Sequence, residues 1–466
     1  GPVTIWYDNG QKQNEGYFML AFRDNRFLSW PDSIYRSWYS DGTTQEEGMY
    51  RNGYKDSTWT YRYADGQPKR IEQYEEGILF LASAWDSEGR ATVTEGNGRM
   101  VSYYASGQQK EDAGYQGGKR HGTCTRWFEN GQQKETGSYQ ENRQEGKWTF
   151  WYETGERWKT MHYKEGKQDG AYQNYYPNQQ LSVEGVYRAG QKEGQWTWYN
   201  SDGSRYQEGF FRADEQDSLW VYYFPNGQVD SKGFYRAGRQ EGKWEYFYKD
   251  GAKYRIGNYA NDRKEGTWNY WFESGARLQS GDFKADKEEG VWTSWYENGD
   301  KKDEGPYREG LMEGTWKGWY PGNKARYEGA LQAGEKEGEW IYWWESGKVR
   351  EQGTYKVGKQ DGSWTYYHAN SDQVESTGSF RDGKHHGTWT YYFPHGAKQR
   401  EEGYLKGRLN GTSTAWSRNG QLISQRDYKD GRAHGKTVIY NKNGSKMREA
   451  VYKDGFKVKE KVHDSR

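Results

Sequence analysis

The sequence predicts an all-β protein: an elongated single antiparallel sheet, a solenoid-like rod, of about 19 tandem 24-residue β-hairpin repeats. Three observations predict it. Gly or Ser anchors recur at 24-residue steps, most are followed two residues later by Trp, and an Asn-Gly, Asp-Gly or Ser-Gly pair commonly stands at positions 8 and 9 after the anchor. Such pairs between ring-rich, alternating runs are a strong hairpin signal, because a type I′ turn needs φ > 0 at both central residues.

Taken in order, the anchors upstream are Gly1, Ser33 and Ser57, with a short unit near Leu81. Steps of 24 then run from Gly98 through Gly122, Gly146, Gly170 and onward to Gly362, and after one inserted residue resume at Gly387, Gly411 and Gly435. The expected division is residues 1–97, irregular repeats with insertions that form a cap; 98–458, a regular array; and 459–466, a polar tail. In the first part "YFMLAFRDNRFLSWPDS" (17–33) and "ILFLASAWDSEGRATV" (78–93) gather aliphatic residues and break the period, as a covered edge or a partner-binding insert would.

With the anchor as position 0, a two-residue turn at 8 and 9 makes facing positions sum to 17. Position 2 (Trp148) then lies opposite position 15, which is Met161 here but Gly257 or Gly281 in sister units, and position 0 lies opposite the Tyr at 17. Rings facing glycines cover open sheet. A four-residue second turn at 20–23 would set that Tyr beside the next Trp. The predicted structural ladder is Trp148, Trp196, Trp220, Trp244, Trp268, Trp292, Trp316, Trp340, Trp364 and Trp389. At ~4.8 Å per strand the array would be on the order of 150–180 Å long.

The phrase "YxxGKxxGxWxxYYxNG", carried by "YQENRQEGKWTFWYETG" (139–155), "YREGLMEGTWKGWYPGN" (307–323) and "FRDGKHHGTWTYYFPHG" (380–396), resembles the bacterial variant of the MORN repeat, found in antitoxin-like proteins. The resemblance implies an elongated hairpin sheet serving as scaffold, adhesive surface or membrane-associated module, and an antitoxin role would imply a toxin partner.

Composition narrows the partners. Sixty-eight basic against 67 acidic residues leave +1, which supplies no long-range pull on nucleic acid or anionic lipid. Hydrophobic residues are 32% and aromatic ones 18%, leaving 14% aliphatic, so rings rather than aliphatics must build the core. One cysteine excludes an intramolecular disulfide framework, and no apolar run reaches the ~18–20 residues of a bilayer span. The chain opens Gly1-Pro2 rather than with Met, which looks like the scar of a tag-removing protease used in expression, so the expectation leaves room for a leader or anchor upstream. Export to the cell envelope or outside is expected, with a cytoplasmic location as the alternative.

No catalytic constellation emerges, and no cofactor or metal is expected. His121, His385, His386 and His434 fall in inter-hairpin turns too far apart to converge on a metal, and read as exposed polar turn residues. Glu145, Glu193, Glu241, Glu265, Glu289, Glu313 and Glu337, each just before an anchor, read as a solvated edge rather than a glycosidase pair. Cys124 takes a position filled by Trp in sister units and reads as a core substitute.

The candidate binding surface is position 5. Alternation puts positions 2, 4 and 6 on one face and 3 and 5 on the other, yet position 5 is aromatic: Trp127, Trp151, Trp271, Trp295, Trp319, Trp343, Tyr367 and Tyr392. Either Lys and Gln stems lie over these rings, or the row binds a ligand. The expected function is therefore non-enzymatic binding or scaffolding, with a protein partner first, a glycan-binding adhesin second, and an antitoxin-like or membrane-associated module third.

Overall fold

The computed structural model describes the backbone of residues 1–23 and 26–463, and the side chains of these except 20–23 and 26–29. The described residues hold 41 strands and no helix, in one antiparallel sheet that is not closed on itself. Contacts divide the chain into two units, 1–227 with 235–238, and 228–234 with 239–466. Each is built from the same hairpin, represented by Arg143–Trp151 with Arg157–Lys164 in the first and Arg263–Trp271 with Arg277–Lys284 in the second.

The register is the predicted one over positions 0 to 4. Gly146 faces Tyr163 and Trp148 faces Met161, while Gly266 faces Phe283 and Trp268 faces Gly281. Between positions 4 and 5 the register slips by one, so that Trp151 pairs with Arg157.

That slip corrects the turn assignment. Tyr152 N donates to Glu156 O (2.8 Å) and Gly155 N to Tyr152 O (3.0 Å), and in this loop only Gly155 has positive φ (99°). This is a three-residue loop whose αL Gly forms a bulge, not a type I′ turn. The Asn-Gly pair serves it differently: Asn130 Oδ1 accepts from Gln132 N (3.0 Å), an Asx turn that leaves Gly131 alone at φ > 0.

The type I′ turn occurs instead between hairpins, which corrects the four-residue connection at 20–23. Lys284 pairs with Lys287, leaving Ala285 (φ 49°) and Asp286 (φ 70°), and Val357 (φ 46°) stands in the same place before Gly358 (φ 73°). L-residues there are strained, and the glutamates before the anchors offset it. Glu145 Oε2 accepts from Glu165 N (2.9 Å), Glu265 from Ala285 N (3.0 Å) and Glu337 from Val357 N (2.8 Å). These carboxylates cap turns and are not a free solvated edge.

The core is the predicted ring-and-glycine ladder, with one change. All ten ladder tryptophans are buried, but each indole lies over the glycine of the preceding hairpin rather than that of its own. A Cβ on Gly137 would sit 2.2 Å from Trp148, and on Gly257 2.1 Å from Trp268. The indole N–H then donates to the next carbonyl of that preceding strand, Trp148 to Ser138 O at 3.1 Å and Trp268 to Asn258 O at 3.1 Å. Position 17 packs edge-on against the Trp on either side: Tyr259 meets Trp244 at 6.0 Å and Trp268 at 5.1 Å.

The ends differ from expectation in detail. Residues 12–23 and 26–38 pair as one long hairpin, so the inserted residues lengthen its two strands; the side chains of much of "YFMLAFRDNRFLSWPDS" lie outside those described. The second irregular segment packs inward, with Leu81, Ala84 and Val93 joining Ala113 and Cys124 in one core cluster. Residues 459–462 of the tail continue the last strand, Phe456–Val462, against Lys446–Lys453, and 464–466 lie outside the described residues.

Candidate functional site

The position-5 face is held in place by the hairpin's own hydrogen bonds. Tyr175 Oη donates to Gln173 Oε1 (3.0 Å), tying position 5 to position 3, and Tyr199 Oη donates to Glu184 Oε1 (2.8 Å) at position 14 of the preceding hairpin. Burial, and then Glu184, pushes the Tyr199 hydroxyl up to about 12, so it stays a donor at neutral pH. Trp127, Trp151, Trp271, Trp295, Trp319, Trp343, Tyr367 and Tyr392 are all half-buried, one per hairpin.

What covers several of these rings is a cation from the preceding hairpin. Arg157 lies 5.1 Å over Tyr175, Arg277 5.3 Å over Trp295 and Lys301 5.6 Å over Trp319. The cations come from position 11, and position 14 holds some of them: Lys301 Nζ reaches Glu304 at 2.6 Å, and Arg205, over Tyr223, reaches Glu208 at 3.0 Å. Of the eight named rings, Trp295 and Trp319 thus carry a cation over them. Between these capped rings the same face exposes apolar side chains at positions 16 and 1: Val186, Phe210 and Leu219 in the first unit, Val291 in the second.

A device the sequence reading missed lies at position 6. Tyr152 Oη donates to Tyr175 O (2.9 Å), Tyr248 to Trp271 O (2.9 Å) and Tyr296 to Trp319 O (2.9 Å). Each hydroxyl thus binds the backbone carbonyl of the next hairpin's position 5 and fixes the row from behind. The recurrent Tyr at that position was visible; its 23-residue reach to a carbonyl was not.

Cys124 is buried, and burial with the nearby Glu111 pushes its thiol up to about 11, the opposite of an activated nucleophile. His385 is not a plain exposed turn residue: its ring is half-buried 4.2 Å from Trp389 and 4.7 Å from Phe380, and burial lowers its pKa. His434 Nδ1 lies 3.1 Å from Asp454. Among the described residues no three His, Cys, Asp or Glu side chains converge to hold a metal.

Six segments, 120–141, 144–165, 216–237, 288–309, 336–356 and 409–430, match the family described as MORN repeat variant. No curated protein matches the chain. Among solved structures, the TcdB2-TccC3 crystal structure is matched at 11% identity with a TM-score of 0.15, over 97% of this chain and 31% of that one. The pore of the Photorhabdus luminescens Tc holotoxin is matched at 11% identity and a TM-score of 0.14, over 96% of this chain and 27% of that one. The chain thus spans less than a third of the length of those chains, and likeness at such TM-scores carries nothing about what it does.

Proposed function

The chain is a MORN-variant repeat protein, and from that premise we propose that it is a non-enzymatic scaffold that binds a protein partner along its position-5 face. The observation that supports this is the composition of the face: Trp and Tyr rings half-buried under Arg and Lys, with exposed Val, Phe and Leu between them. Trp, Tyr and Arg are the residues in which protein-binding energy concentrates, and here they are pre-ordered by Tyr hydroxyls from behind and by carboxylates at the side. Glycan binding ranks second, because a sugar stacks on an open ring face, and over Trp295 and Trp319 that face already carries a cation.

The test compares partner capture by the wild-type chain with capture by a variant carrying alanine at Trp271, Trp295, Trp319 and Trp343. The dominant co-purifying protein is expected to fall at least tenfold while strand content is unchanged. Charge reversal at Arg277 and Lys301, which spares the rings, is expected to weaken the same capture. Equal recovery by both variants removes the reading, and recovery of no protein alongside row-dependent signal on a glycan array replaces it with the second.

A further inference from the structure

On the opposite face of the second unit, position 4 supplies a rung between successive tryptophans. It lies 5.9 Å from its own Trp in Trp244–Tyr246 and 6.2 Å in Trp268–Tyr270, and 6.4 Å from the next Trp in both Tyr246–Trp268 and Tyr270–Trp292. Its hydroxyl meets the position-17 hydroxyl, as Tyr246 meets Tyr259 at 3.2 Å.

Two consecutive hairpins lack this ring, having Ser294 and Gly318 instead. The second vacancy is filled from the facing strand. Tyr327 lies where Gly318 has no side chain, 2.2 Å from the position of a Cβ, stacks on Trp340 at 5.8 Å and donates to Asp303 Oδ1 (2.8 Å). At the first vacancy the facing residue is Asp303, which pairs with Arg326 at 2.7 Å, and among the described residues no ring from the facing strand takes the place. A hollow of about 860 Å³ begins there, where Trp292, Ser294, Asp303, Tyr307, Trp316 and Arg326 line it, and runs on past Tyr327 and Trp340 to Tyr355. Trp292 and Trp316 are 8% and 6% exposed, whereas Trp268, Trp340, Trp364 and Trp389 are at most 3%. The two indoles flanking the missing rung, though buried, are thus the most exposed of the ladder.

We propose that this vacant rung is a binding site for a hydroxyaryl group, either a free phenol or the side chain of a tyrosine. A phenol in the slot would stack between Trp292 and Trp316 and place its hydroxyl at that of Tyr307, repeating the contacts of Tyr246 with Trp244, Trp268 and Tyr259. A packed array with one side chain missing is a preformed site for a ligand of the missing shape, and the hollow that the slot opens into is within the size range of small-molecule pockets. The site is independent of the position-5 face.

The test titrates the full chain with p-cresol and with N-acetyl-tyrosinamide, read by saturation-transfer NMR. Ser294→Tyr and Ser294→Phe fill the slot with rings that sister units carry at this position (Tyr270, Phe150). Saturable p-cresol binding is expected in the wild type, at least tenfold weaker in both variants, with thermal midpoints equal or higher. Binding of p-cresol alone identifies a site for free phenols, and binding of both probes one that also admits tyrosine. No saturable binding of either probe, or unchanged affinity in whichever variants fold, overturns the proposal.

Discussion

Residues 109–126 and the hairpins around Trp268 have the same strand lengths, the same turns and opposite fillings. In the regular hairpin Gly257 leaves a gap that the indole of Trp268 fills. In the hairpin of residues 109–126 the two places hold Ala113 and Cys124, which face each other and are both fully buried. The same coupling runs through the chain. Eleven glycines at position 15 lie 2.1–2.3 Å, measured from the Cβ they lack, from the next hairpin's Trp. Where that Trp is absent the position-15 residue grows: Met161 faces Tyr172, and Arg426 faces Thr437. Gly16, beside Tyr35, is the exception.

The lost ring is replaced by charge. Around Cys124, Glu111 accepts from Arg120 Nη1 at 2.6 Å and from Arg126 Nε at 2.8 Å, and Arg126 also pairs with Glu135. Burial alone would raise the Glu111 pKa, but the hydrogen bonds and charges of the two guanidinium groups outweigh it and hold the carboxyl below its ordinary value. The Ala-on-Cys rung stands beside a half-buried ionic network. The comparison teaches that the volume of the pair, rather than either residue, is what the sheet specifies.

The strongest way to break the comparison is to unbalance one pair. Trp268→Ala is expected to cost about 3–5 kcal/mol. Gly257→Ala, whose Cβ has no space, is expected to cost about 3 kcal/mol. Both are read by urea denaturation with hydrogen exchange across 253–271. The double variant Gly257→Ala/Trp268→Cys, which copies Ala113 and Cys124, is expected to lose clearly less than the sum of Gly257→Ala and Trp268→Cys. Simple additivity would show that the two places are not a volume pair.

Next in size is Glu111→Gln, expected to cost about 2 kcal/mol at pH 7 by leaving two guanidinium groups short of a partner. Because the folded carboxyl has the lower pKa, its contribution is present above the unfolded value of about 4.3 and is lost as pH falls through the folded one. Protection across 109–126 should therefore decline from pH 5 downward in the wild type, less so in Glu111→Gln, while 253–271 changes less. Equal acid sensitivity of both segments would undo the contrast.

The smallest effect sharpens what the two regions share. Tyr104 Oη donates to Trp127 O (2.8 Å) beside the Ala113–Cys124 rung and Tyr248 Oη to Trp271 O (2.9 Å) beside the Gly257–Trp268 rung. Removing either hydroxyl with Phe is expected to cost the same, about 1 kcal/mol. A marked difference would mean that core filling reaches the position-6 hydroxyls.

Much of this was legible in the chain. Period, hairpin, register over positions 0 to 4 and the buried tryptophans follow from aromatic residues returning every 24 positions beside glycines. The turns were misread because Asn-Gly suits both a type I′ turn and an Asx turn closed by an αL glycine, and only the one-residue slip before Trp151 distinguishes them. Ala285 and Val357 gave no sign of a left-handed backbone, since what holds them there is a carboxylate 20 residues upstream. The position-5 row was visible as rings; the cations over them come from the neighbouring hairpin, which alternation along one strand does not reveal.

By itself the sequence determined the repeat unit and the face each ring takes, because period-two alternation is a local property. The tertiary structure alone decided which glycine each indole covers, which turn is left-handed, and that Ser294 leaves a rung vacant while Tyr327 fills the one at Gly318. Those are contacts between successive hairpins, and their outcome is set by side-chain volume meeting the twist and bulge of a sheet rather than by any residue read alone.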